Sequence, residues 1–226
     1  MYKNKSILQN EWLLKNIDER KILYVSQKYN FSNFLSKLIS SIKINEEDID
    51  EFINPDINNN IPNPFQLKDM DKSVLRTIKS IKKNEKIGIL ADYDVDGSTS
   101  AAILYNFLKF LSLDITIKVP NRLTEGYGPN DKIMDEFLNE NISIVYILDC
   151  GTTSFHTLNK SKYSSIDIIV IDHHISDIKL PNIFSLINPN RYDEKNNLTD
   201  LAAVGVTFLF LIALRKKLRD LDFFNE

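Results

Sequence analysis

Asp92-Tyr-Asp94-Val-Asp96-Gly97-Ser98 sets three carboxylates at alternate positions directly after a short apolar run, Ile87 to Ala91. Like charges crowded just past a buried strand repel one another, and each resists desolvation unless a cation compensates. The chemistry this cluster could do is therefore that of a divalent metal. Three motif classes share the spacing. An EF-hand loop needs a glutamate at its twelfth position; counted from Asp92, that place is Ile103, and a strand precedes the motif instead of a helix. The EF-hand is excluded. In an aspartyl-phosphate phosphatase Asp94 would be the nucleophile and Asp96 the acid/base. In a two-metal phosphoesterase the aspartates hold ions that activate a water. Both stay open on this stretch alone.

The elements that must position such a cluster follow from the pattern downstream of Lys86. Apolar runs at 86–91, 114–119, 143–149, 166–171 and 183–187 read as strands. Helical spacing covers 98–111, 130–140, a short piece near 155–162, and 201–219. This alternation predicts an α/β fold, an open and mostly parallel sheet with helices on both faces. In such sheets ligands bind beyond the carboxyl ends of the strands. Two further strands end as a metal site would require, in Leu148-Asp149-Cys150-Gly151 and Ile171-Asp172-His173-His174. A lone aspartate at a strand end is commonly a cap, a D-x-D-x-D-G run can be a solvated turn, and a histidine pair can be structural. Their convergence on one edge of one sheet favours a metal site. Carboxylates with imidazole suit Mn²⁺, Mg²⁺ or Zn²⁺ better than Ca²⁺.

Ahead of the sheet the sequence predicts a helical N-terminal extension over 1–84, with the sheet domain at 85–226. Residues 1–25 offer possible docking onto the main body, and Trp12, like the phenylalanines, reads as core. A helical period starts at Ser26, read as its cap, with Phe31, Phe34, Leu35 and Leu38 on it. A short helix spans Asn45 to Phe52. The Asn54–Pro64 stretch reads as a connector without regular structure. Leu67 to Lys83 is amphipathic through Met70, Val74, Ile78 and Ile81.

With 226 residues, 43% hydrophobic and 26% charged, the chain has the composition of a globular domain. A net charge of -3 gives no bulk attraction for nucleic acid, although an acidic metal site can mask a local basic track. The single cysteine, Cys150, excludes an intramolecular disulfide. With no signal peptide and no span of about twenty apolar residues, a cytoplasmic location and no membrane association are expected.

Together these motifs resemble the DHH phosphoesterases: Asp94-Val-Asp96-Gly97, then Asp149, then Asp172-His173-His174. Within that superfamily the chain is similar to the RecJ-type single-stranded-DNA-specific exonucleases. The supporting stretches are Phe52-Ile-Asn-Pro55, Leu67-Lys-Asp-Met70, Pro120-Asn-Arg122, Gly126-Tyr-Gly128, Asn188-Pro-Asn-Arg191 and Leu201-Ala-Ala-Val-Gly205-Val206. The histidine pair and Asp149 count against the aspartyl-phosphatase reading. The resemblance implies two Mn²⁺ or Mg²⁺ ions, one on Asp94, the other on Asp96 and His173, with Asp149 bridging. It places His174 near the scissile phosphate or just behind the metal ligands, and Asp92 as a ligand or as an orienter of the loop. It implies 5′→3′ cleavage of single-stranded DNA in repair and recombination, by a monomer that meets other repair proteins. A further ligand-bearing motif and a substrate-gripping domain of such enzymes have no match here. The expectation is a C-terminally incomplete DHH domain with weak metal binding and little processive activity. A DHH enzyme acting on short oligonucleotides, cyclic dinucleotides or pyrophosphate is one alternative, and a non-catalytic remnant another.

Softer candidates surround these. Arg122 could face a phosphate and Tyr127 stack on a base, or both could lie in a surface loop whose glycines only make the turn. Asn190 and Arg191 pose the same choice. Ser98 and Thr99 read as helix caps, Cys150 as packing on the site floor, and Gly205 as a close helix contact.

Overall fold

The computed structural model describes residues 6–8, 10, 11, 13, 15–42 and 44–224, and the Trp12 expectation lies outside them. The chain divides into two compact units, Met1–Pro62 and Asn63–Glu226.

The first unit is helical: α1 (Glu19–Tyr29), α2 (Asn33–Ser41), α3 (Ile49–Ile53) and the single turn α4 (Ile57–Asn60). Its small core gathers Val25, Ile39 and Ile49, with Tyr29, Phe31 and Leu35 packed on them. Ser26 is no cap, because it lies inside α1 and its hydroxyl donates to the Phe31 carbonyl. The caps are Asp18, which accepts the Arg20 N–H, and Ser32, which accepts that of Leu35. α1 buries only Val25, so it left almost no apolar period to read. Phe34 and Leu38, expected on the apolar face, are exposed. The supposed connector holds α4 because Asp56 caps it through the Asn58 N–H.

The second unit begins with α5 (Met70–Lys83), followed by β1 (Ile87–Ala91), α6 (Val95–Phe110), β2 (Ile115–Lys118), α7 (Asp131–Asn139) and β3 (Ile144–Leu148). The short α8 (Phe155–Leu158), β4 (Asp167–Ile171), β5 (Ser185–Ile187) and α9 (Ala203–Asp220) complete it. The five strands are parallel in the order β2-β1-β3-β4-β5. β1 and β3 are buried along their whole length, as the unbroken apolar runs require of strands covered on both faces. Alternate residues divide between two cores. Ile87, Ile89, Ile144, Tyr146 and Ile169 meet α5, α6 and α9 on one face. Leu90, Val145, Ile147, Ile168 and Val170 meet α7 and α8 on the other.

The boundary between the units corrects the sequence reading, which ended the N-terminal extension at residue 84. Met70, Val74, Ile78 and Ile81 of α5 pack into the sheet core, and Thr77 shares a 2.6 Å hydrogen bond with the Tyr146 hydroxyl. An amphipathic pattern shows that a face is buried, not what buries it. No described helix is long and apolar enough to cross a membrane.

β1 pairs with β2 on one side and β3 on the other, so the connections leaving these central strands run in opposite directions. A crevice forms at the carboxyl ends at such a switch point. Asp92 and Asp149 are the first residues beyond those two ends.

Candidate metal centre

Each aspartate of the first motif is set by a different local device. Asp92 follows β1 and is 4% exposed. Asp94 is the N-cap of α6, accepting the Gly97 N–H at 2.9 Å. The helix therefore starts ahead of Ser98. Ser98 and Thr99, the expected caps, instead donate back to the Val95 carbonyl within the first turn. Asp96 reaches across to α9, accepting the Ala203 and Val204 N–H groups at 2.7 Å each. A carboxylate on free helix N-terminal amides satisfies them and the helix dipole together.

Gly97 makes this packing possible. A Cβ there would lie 2.4 Å from the Asp92 carbonyl oxygen, so the loop could not close. Gly97→Ala is expected to push the Asp92 backbone away, costing about 2 kcal/mol of stability and about tenfold in Mn²⁺ affinity. Calorimetric titration with Mn²⁺ checks this, and wild-type affinity would show that the loop has no part in binding.

Asp149 leaves β3 in the left-handed region (φ 60) and is 2% exposed. Burial, and then the neighbouring Asp96 and Asp94, push its carboxyl up to about 8. Asp92 is raised by burial and by Asp94, while the Gly97 N–H holds Asp94 below its ordinary value. The Oδ1 atoms of Asp92 and Asp149 are buried with no hydrogen-bond partner. Orphaned carboxylate oxygens in a buried cluster are costly unless a cation satisfies them. Ligand atoms of Asp92, Asp94 and Asp149 lie within 4.8 Å of one another, as do those of Asp149, His173 and His174. His173 Nε2 stands 3.4 Å from Asp149 Oδ1 and 3.6 Å from Asp96 Oδ2. Hard oxygens with imidazole fit Mn²⁺ or Mg²⁺. Asp149 is common to both groups, as a bridging ligand must be. Asp96, expected to share an ion with His173, belongs to neither group and spends both oxygens on α9.

The histidines are held by residues that the sequence reading did not assign. Asp172 is fully buried; its Oδ1 accepts the His173 N–H (2.7 Å), the His174 N–H (3.2 Å) and His174 Nδ1 (2.7 Å). Its Oδ2 accepts the Thr152 N–H (3.1 Å) and hydroxyl (2.6 Å). Burial disfavours its charge, but the bonds from His174 and Thr152 prevail and keep Asp172 low. The same contact raises His174 to about 9. Asn188, fully buried after β5, donates to Thr152 Oγ1 (2.9 Å) and the His174 carbonyl (2.8 Å). The strand-end rule, applied to this last strand as well, would have found it.

The softer candidates separate. Tyr127 donates its hydroxyl to the Asp149 carbonyl (3.1 Å), and its half-exposed ring meets that of His174 edge-on at 6.2 Å. Arg122 lies 4.9 Å over the Tyr93 ring, where its charge favours ionised Asp92. Asn190 donates to the carbonyls of His173 (2.7 Å) and Thr199 (3.0 Å), so its amide braces the histidine loop. Arg191 is not brought to the aspartates. Its partly buried guanidinium donates to Asp69 (2.9 Å), Asp193 (2.8 Å) and the Leu186 carbonyl (2.6 Å), a structural role. Cys150 is buried in the core beneath the site, and burial raises its thiol well above the ordinary range.

Residues 86–223 match the profile of the DHH family, N-terminal domain. The single-stranded-DNA-specific exonuclease RecJ of Bacillus subtilis is 32% identical over 157 residues, which are 70% of this chain and 20% of the relative. The chain thus spans about a fifth of that relative's length. An exonuclease RecJ solved with bound manganese aligns at 29% identity with a TM-score of 0.61, covering 70% of this chain and 39% of that one. RecJ from Thermus thermophilus in complex with Mn²⁺ shares the fold, with a TM-score of 0.67 at 22% identity over 91% of this chain and 28% of that one.

Proposed function

The chain belongs to the DHH family, and from that premise we propose that it hydrolyses phosphodiester bonds of single-stranded DNA in a metal-dependent reaction, removing nucleotides from the 5′ end in DNA repair and recombination. One observation carries the reading: two buried aspartate oxygens without hydrogen-bond partners, Asp92 Oδ1 and Asp149 Oδ1, at the centre of a carboxylate and imidazole cluster. The similarity to RecJ exonucleases supplies the substrate class.

Asp92, Asp94 and Asp149 would hold one Mn²⁺ or Mg²⁺, and Asp149 with His173 a second. When bound, such ions supply Lewis acidity and a water acidic enough to ionise near neutral pH. The chain's own residues do the positioning. Asp172 fixes Nδ1 of His174 and keeps the ring cationic at neutral pH, which suits it to a phosphate oxygen. Arg122, stacked on Tyr93, is a second cation for the backbone of the strand. Tyr127, anchored through its hydroxyl, offers a ring face to a base.

The test is hydrolysis of 5′-labelled and 3′-labelled single strands by the purified chain in Mn²⁺, Mg²⁺ or EDTA. Short oligonucleotides, cyclic dinucleotides and pyrophosphate run alongside. The expected result is weak, non-processive, metal-dependent release of nucleotides from the 5′ end, absent in EDTA. Metal-independent cleavage, or hydrolysis of pyrophosphate or cyclic dinucleotides alone, would overturn the assignment.

A further inference from the structure

The two edges of the sheet are finished differently. On β5, side chains take up outward backbone groups: Asp69 accepts the Leu186 N–H (3.0 Å), Arg191 donates to the Leu186 carbonyl (2.6 Å), and Lys72 donates to that of Phe184. Covering of this kind closes an edge to further pairing. On β2, the Ile87 N–H donates to the Asp114 carbonyl at 2.9 Å, with Ile87 in register with Ile115. In a parallel ladder that turns the backbone groups of Asp114, Thr116 and Lys118 toward β1, and those of Ile115 and Ile117 outward. No group among the described residues bonds these outward positions, and Ile117 and Val119 are exposed.

The open edge is complementary to itself. Reversed about Thr116, the segment Asp114-Ile-Thr-Ile-Lys118 sets Asp114 opposite Lys118 and Ile115 opposite Ile117. We propose that β2 pairs antiparallel with β2 of a second copy of this chain, across a twofold axis at Thr116, joining the two sheets into one. The register is consistent at every position. Ile115 and Ile117 of the second copy, both with outward backbone groups, form hydrogen-bonded pairs on both sides of the axis, and their side chains share a face. The two Thr116 residues meet in the closer, non-hydrogen-bonded pair. On the face toward α7, Asp114 comes opposite Lys118 of the second copy. Lys118 already meets Glu136 (2.8 Å) and Glu140 (3.3 Å), so the added carboxylate selects register more than it adds affinity. An isologous strand pair of this length is a small interface, and its dissociation constant is expected on the order of 10–100 µM.

Register-specific cross-linking tests this. Thr116→Cys is expected to form a disulfide-linked dimer under mild oxidation, since directly opposed strand residues fall within disulfide reach. The native Cys150 is buried and does not compete. Lys118→Cys alone is expected to stay unlinked, because its two copies lie on opposite sides of the axis. A mixture of Asp114→Cys with Lys118→Cys is expected to link. Ile117→Pro removes an outward N–H without touching the ladder to β1, and should weaken dimerisation at least about tenfold in sedimentation velocity. Equal linking at all positions, linking of Lys118→Cys alone, or a monomer at about 200 µM chain that Thr116→Cys fails to trap, would each overturn the proposal.

Discussion

Asp149→Asn is expected to make the metal-free protein more stable at pH 8 while destroying its Mn²⁺ site. The carboxyl of Asp149 is buried, has an oxygen with no partner, and is pushed up to about 8 by burial and by Asp96 and Asp94. An acid whose folded value lies above its ordinary 3.8 stabilises the fold fully only below about pH 4. That contribution is lost as pH rises through 8. His174 adds to the same trend, since its imidazolium, raised to about 9, contributes below about 6.5 and is lost as pH rises through 9. The metal-free wild type should therefore lose melting temperature steadily from pH 5 to pH 9. Asparagine removes the Asp149 part of that loss and should melt about 5 °C higher at pH 8, with little difference at pH 4. Added Mn²⁺ should raise the wild-type melting temperature increasingly with pH, because the ion displaces the proton. The variant should bind Mn²⁺ at least about 100-fold more weakly and release no nucleotides. Scanning calorimetry in EDTA and in Mn²⁺ across pH checks each part. Wild-type Mn²⁺ affinity in the variant would remove Asp149 from the bridging position.

This trade of stability against metal binding explains why the site was legible in sequence and much of its support was not. A carboxylate beyond a buried strand conflicts with folding physics, and the conflict shows in the residue string: Ile-Leu-Ala-Asp at 92, Ile-Leu-Asp at 149, Val-Ile-Asp at 172. The central strands β1 and β3 were readable because they carry no polar side chain that could hydrogen-bond or ionise apart from the Tyr146 hydroxyl. Residues that merely satisfy others carry no such conflict. Thr152 and Asn188 look like ordinary loop polars until the fold brings Thr152 onto Asp172, 20 positions away, and Asn188 onto Thr152, 36 positions away. Arg191 shows the converse, since a motif position beside the histidine loop proved to brace Asp69 across 122 residues. Cap assignments failed where two candidates competed locally. Asp94 starts α6 ahead of Ser98 because the fold needs its carboxylate at the helix end, and spacing alone does not weigh that.

Asp172→Ala carries the second large effect, and it separates positioning from ligation. The substitution removes a fully buried carboxylate and leaves the Thr152 hydroxyl and N–H, the His173 and His174 N–H groups, and the half-exposed His174 ring without their acceptor. Breaking a buried charged hub of this kind costs about 4 kcal/mol, or a melting temperature lowered by about 10 °C in a domain of this size. Asp172→Asn keeps the shape and can still accept on one side, so it should fold with a smaller loss. In that variant the main cause of the raised His174 value is gone. Its imidazole should titrate back toward 6.5, followed by NMR of the ring protons in the metal-free protein. Mn²⁺ affinity should fall about 10- to 100-fold, as expected when a ligand keeps its identity and loses its orientation. A residue that only fills space would leave the His174 titration where it was, and that result would move the control of the histidine pair away from Asp172.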